Sequence, residues 1–151
     1  MQYQPSVRTV GGELERTFSS LLRHEVKITS AGRTDSGVHA TGQVVSWKTE
    51  ATFPFERFAI AANSVLPSDV SIRSVEEVDP IFNARLCATE RAYVYAIYNT
   101  REPSALLDRY AFHVWTAIDL DRFAAGARQL AGTHDFRSFC GVLPESGPTI
   151  R

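Results

Sequence analysis

The sequence predicts an α+β protein, with helices packed on one face of antiparallel or mixed sheets. Two observations carry this. Apolar residues recur at three- and four-residue steps in three separate segments, and short runs of alternating apolar and polar residues lie between them. The order is helix, strand, strand, helix, strand, then strands and a helix again, which reads as one α+β unit repeated once.

The first helix is expected from Thr9 to about Arg23, where Val10, Leu14, Phe18, Leu21 and Leu22 line one face. Gly11 and Gly12 fall near its start, where they cost less than in mid-helix. Val26-Lys27-Ile28 alternates as a short half-buried strand, and Gly42 to Trp47 is a second strand candidate. Between them, Ser30 to Gly37 has no period and is rich in turn formers. A second helix is expected from Pro54 to about Val65, with Phe55, Phe58, Ala59, Ala62 and Val65 inward. Val70 to Val75 alternates as a strand, and Arg91 to Asn99 is the strongest strand pattern of all. Tyr110 to Trp115 reads as another strand. Asp119 can cap a helix running through Leu120, Phe123, Ala124, Ala127 and Leu130 to a stop at Gly132. The composition shifts at Cys87-Ala88-Thr89-Glu90, which places a domain boundary between residues 1–88 and 89–151.

At 151 residues and 44% hydrophobic content the chain can bury a core, and nothing in its composition suggests disorder. No apolar run approaches the roughly 18 residues of a membrane span, and no charged-then-apolar leader opens the chain, so the expected compartment is the cytoplasm. Cys87 and Cys140 lie far apart and read as reduced thiols. A net charge of −1 argues mildly against a nucleic-acid partner unless the basic residues are gathered locally.

The segment richest in chemistry is Ala31 to Ala40. Asp35 sits between Gly32 and Gly37, which lets the carboxylate approach a substrate closely, and Arg33 could favour its ionised form. An ionised carboxylate serves as nucleophile or base. A turn in which Asp35 merely caps the backbone is the competing local reading. His24, His113 and His134 make no ligand spacing with either cysteine, so no metal site is expected.

Ala31-Gly32-Arg33-Thr34-Asp35-Ser36-Gly37-Val38-His39-Ala40-Thr41-Gly42-Gln43-Val44 resembles the catalytic segment of TruA-type tRNA pseudouridine synthases. The resemblance extends to Arg8–Glu15, Asn63–Pro67, Phe82–Arg85, Ala88–Tyr95 and Gly132–Phe139, in the family's order. It implies repeated ferredoxin-like units and a homodimer that grips tRNA. It also implies conversion of uridine to pseudouridine in the anticodon arm, at tRNA positions 38, 39 or 40. Asp35 would be the essential aspartate, acting on ribose or on uracil. Arg33 would occupy the space left by the flipped base, and Tyr93 would pack against the uracil. Thr34, Gly37 and His39 would support the loop, while Arg85 and Arg91 would contact phosphate. The reaction is an isomerisation, so no cofactor is expected.

By the same resemblance, a strand and a glycine-rich turn would precede Met1, and further strands would follow Gly147-Pro148-Thr149-Ile150-Arg151. The chain is thus expected to be truncated at both ends and inactive or nearly so by itself. Two rivals remain. Asp35-Ser36-Gly37 is also the triplet of aspartic proteases, whose two aspartates share a proton that Arg33 would oppose. A non-catalytic RNA-binding module would use the tyrosine strand and leave Asp35 idle.

Overall fold

The computed structural model describes residues 1, 4, 6–141 and 149–150; Gly147, Pro148 and Arg151 of the terminal motif lie outside them. The chain divides into two compact units, Met1–Val94 and Tyr95–Arg151, each mixing helix with a small sheet, and the α+β class holds.

The first unit is built on helix α1, Val10–Leu22. Thr9 caps it: its hydroxyl accepts from the Gly12 N–H at 3.1 Å, and Arg23 ends it in the left-handed region at φ 58°. Leu14, Phe18 and Leu22 are buried as their spacing predicts, and they meet Phe58 and Ala62 of α2, Phe58–Asn63. The second helix is shorter than expected, because Phe55–Arg57 forms a 3-10 turn instead. Pro54 supplies no side-chain cap there, so the first turn tightens. Val65 is exposed and Leu66 takes the buried place after the helix. Aromatic rings surround Phe58: Phe18 lies 5.1 Å away edge-on, Phe53 5.3 Å, and Trp47 5.5 Å.

Two strands rise from this core. β1, Thr29–Ser30, pairs antiparallel with β2, Val45–Ser46, in the register Thr29 to Ser46 and Ser30 to Val45. Val26 is buried and Lys27 exposed, as alternation predicts, but the ladder begins only at Thr29. Residues 70–73 alternate in burial as expected, but the alternation breaks at Ser74 and Val75, and no ladder forms among the described residues. The Asn63 side chain takes both backbone groups of Ile72, donating to its carbonyl at 2.8 Å and accepting from its N–H at 2.7 Å. One amide thus replaces two rungs of a ladder.

A surface ion cluster ties the start of α1 to the loop after α2. Arg8 forks onto both carboxylate oxygens of Asp69 at 2.7 and 2.8 Å and reaches the buried Glu13 at 2.9 Å, where Arg16 also binds. The Arg8 hydrogen bonds hold the Asp69 carboxyl below its ordinary value near 3.8, and Asp69 together with Glu13 raises the Arg8 guanidinium. A depressed folded-state pKa stabilises above the unfolded value and loses that contribution as pH falls through the folded one. Thermal melts from about pH 6 to about pH 3 should therefore show wild type more stable than Asp69→Asn at the upper end, with the two converging below about pH 4.

In the second unit, β3, Ile97–Asn99, pairs parallel with β4, Phe112–Val114. The expected strand from Arg91 is thus confined to its last three residues: β4 offers only three partners, and residues 91–96 are exposed coil. The expected strand from Tyr110 to Trp115 shortens to the same register. Asn99 binds the carbonyls of Val114 and Thr116 and the N–H of Ile118, leading the chain into α3, Leu120–Gln129. Asp119 caps α3 by accepting from the Arg122 N–H at 3.0 Å. The apolar face of α3 is largely exposed, with Leu120, Phe123 and Leu130 all open, in contrast to the expected packing of helices on a sheet face.

Candidate active site

Residues 31–44 form a polar loop whose two feet stand in the core. Val26 and Ile28 anchor the approach to β1, and Val45 and Trp47 anchor the exit through β2. The Ala31 N–H donates to the Val44 carbonyl at 2.9 Å and closes the base. Inside the loop the Val38 N–H reaches the Asp35 carbonyl at 3.3 Å, with Gly37 at φ 82° completing the turn. The backbone thereby lifts the Asp35 side chain into solvent at the tip. A rigid scaffold with a polar loop is where chemistry is commonly placed.

Nothing lies within 4 Å of where a Cβ at Gly37 would stand, so only the dihedral resists a side chain there. Gly37→Ala should cost about 1–2 kcal/mol through the left-handed conformation alone. Chemical denaturation of the first unit checks this. An unchanged midpoint would mean that the turn relaxes.

Long side chains brace the loop at several points. Gln43 donates from Nε2 to the Gly32 carbonyl at 2.6 Å, and Arg73 from Nη1 to the Thr41 carbonyl at 3.1 Å. The Thr34 carbonyl accepts from the Met1 amine at 3.1 Å. Arg91 places Nε and Nη2 on the Ala31 carbonyl, at 3.1 and 2.7 Å, and Nη2 also on the Arg85 carbonyl at 3.2 Å. Neither Gln43 nor Arg73 was singled out from sequence, since contacts to main-chain carbonyls across such separations leave no local pattern.

Arg33 and Asp35 are both exposed, and among the described residues they form no ion pair with one another. An exposed pair gains little, about 0–1 kcal/mol, so solvent competes with it successfully. His39 is exposed on the far limb of the loop. Tyr93 is 74% exposed, two residues beyond Arg91. Arg85 is exposed in a turn held by the Asn83 carboxamide oxygen, which accepts from the N–H groups of Arg85 and Leu86. The structure therefore links the Asp35 loop to the Arg85 and Arg91 segments through hydrogen bonds from the Arg91 guanidinium to main-chain carbonyls.

An open trough of about 550 Å³ lies elsewhere, along α1, lined by residues including Arg8, Glu15, Arg16, Glu25 and Lys27 and by none of residues 31–40. Its charges are of both signs and select no one ligand. Among the described residues no three His, Cys, Asp or Glu side chains gather as a metal site, and no helix is long and apolar enough to cross a membrane. Cys87 and Cys140 are free thiols.

The chain thus displays a carboxylate on a glycine-bearing loop between two strands, with Arg73 and Arg91 bound to main-chain carbonyls of that loop. Residues 1–85 match the family described as tRNA pseudouridine synthase, and the chain belongs to that family. It is 45% identical over 143 residues to tRNA pseudouridine synthase A of Moorella thermoacetica, covering 93% of this chain and 58% of that protein. It is 38% identical over 152 residues to the proteins of that name from Bacillus licheniformis and Bacillus subtilis, covering 99% of this chain and 62% of each. The chain thus spans about three fifths of the length of these relatives.

Proposed function

We propose that this chain carries the catalytic carboxylate of a tRNA pseudouridine synthase, and that Asp35 is that group. The observation that supports this best is the exposed Asp35 at the tip of a loop braced by Gln43, Arg73 and Arg91. Catalysis gains most from groups held in place before the substrate arrives.

In the reaction the bond between uracil N1 and the ribose is broken, the base turns, and C5 bonds to the same ribose carbon. C5 gives up its proton and N1 takes one up, so the change is an isomerisation that is redox-neutral and needs no cofactor. Asp35 acts on the ribose or on the ring. The target base must first leave its stack. Arg33, exposed two residues before Asp35, is suited to enter the vacated space, since a guanidinium both stacks on bases and forks onto phosphate. Tyr93 presents an open ring on which the uracil can pack. In this reading Thr34, Gly37 and His39 support the loop, and the exposed Arg85 contacts a phosphate. The substrate in this reading is the tRNA anticodon arm, at positions 38, 39 or 40, and the enzyme works in the cytoplasm as a homodimer. Its sheets belong to two ferredoxin-like units, with residues 1–88 in the first and 89–151 in the second. Arg33, two residues from Asp35, and Arg73 and Arg91, bound to carbonyls of the same loop, bring positive charge to this segment although the net charge of the chain is −1.

The test is tritium release from tRNA labelled at uracil C5, run on the full-length protein and on its Asp35 variants. Release that depends on Asp35 supports the reading. A folded protein that binds tRNA without release would instead be an RNA-binding module.

A further inference from the structure

We infer that Arg91 is a positioning residue for the Asp35 loop, and that it sets the spacing between that loop and the Tyr93 segment. This rests on the reading of Asp35 as the catalytic group.

A closed circuit of hydrogen bonds runs around the base of the loop. The Ala84 N–H donates to Ser46 Oγ of β2 at 3.1 Å, and Ala84 itself is buried. Asn83 folds the next residues into a turn, which directs the Arg85 carbonyl at Arg91. Arg91 then spans from that carbonyl to Ala31, the residue immediately after β1. The circuit passes from β2 through residues 83–85 and Arg91 back to β1, and Arg91 is its closing link. The guanidinium also lies over Gly32, where an added Cβ would stand 3.6 Å from Nε, in ordinary contact.

Two features separate this role from that of a phosphate contact. Arg91 spends Nε and Nη2 on one carbonyl in a forked grip, and that grip needs planar geometry as well as charge. Its side chain also ties position 91, two residues before Tyr93, to the start of the Asp35 loop. A lysine keeps the charge but cannot make the fork.

The experiment uses the full-length protein with Arg91→Lys, Arg91→Met and Asp35→Ala. Single-turnover rates at saturating tRNA, tRNA affinity, and hydrogen exchange of the amides of residues 32–38 are measured on each. Both Arg91 variants should lose about tenfold to a hundredfold in rate, keep affinity within about twofold, and exchange the loop amides faster. An unchanged rate in Arg91→Lys overturns the inference. So does an affinity loss in Arg91→Met that Arg91→Lys restores, which marks a phosphate contact. Loss of rate only alongside loss of the far-ultraviolet helix signal also overturns it. If Asp35→Ala keeps the parent rate, the functional reading itself falls and takes the Arg91 role with it. Slowed Asp35→Ala with full-rate Arg91 variants removes the Arg91 role alone.

Discussion

Replacing Asp35 by alanine in the full-length protein is expected to reduce tritium release by roughly 10²- to 10⁴-fold or more, the range that a positioned acid, base or nucleophile contributes. The side chain stands in solvent at a loop tip and carries no core packing, so its loss should leave the fold intact. Three substitutions read the chemistry in steps. Asp35→Asn keeps the shape and removes the charge, so it should fall nearly as far as alanine. Asp35→Glu keeps the charge but advances it by one methylene on a braced loop, which should cost about a hundredfold. Affinity for tRNA should stay near the parent value in all three. If asparagine retained most of the rate, a carboxylate mechanism would be untenable.

The second large effect is on stability. Phe58 is fully buried, with the rings of Phe18, Phe53, Phe55 and Trp47 around it between 5.1 and 6.0 Å. Phe58→Ala should cost about 3–5 kcal/mol, from lost transfer energy and from a cavity that a cage of rigid rings cannot collapse into. Domains are stable by only about 5–15 kcal/mol, so the first unit would be near its limit. Urea unfolding should show an early transition for that unit. Phe58→Leu, which keeps most of the volume, should lose much less. Equal losses for the two would mean that the cavity term is absent.

Elements whose causes are local were legible in local patterns of residues. The spacing of Leu14, Phe18 and Leu22 and the caps Thr9 and Asp119 placed α1 and α3 within a residue or two. Where another part of the chain decides, the pattern misled. Val70 to Val75 alternates as a strand does, yet Asn63 supplies its hydrogen bonds. Arg91 to Ala96 has the side chains of a strand and no backbone to pair with, since β4 reaches only Ile97 to Asn99. The Asp35 loop was readable because its turn formers and flanking strands are contiguous. Its braces were not: Arg91 and Ala31 stand sixty positions apart, and no periodicity encodes such a meeting.

The two tryptophans fall one to each unit, in opposite surroundings. Trp47 lies 4.7 Å from Phe18 with its indole N–H buried and unpartnered, whereas Trp115 is 72% exposed. Intrinsic emission is therefore a two-colour signal: a blue component reports the aromatic core beneath the Asp35 loop, and a red component reports the second unit. Loosening of the core would shift the blue component alone, so each unit can be followed in the intact chain without an added label.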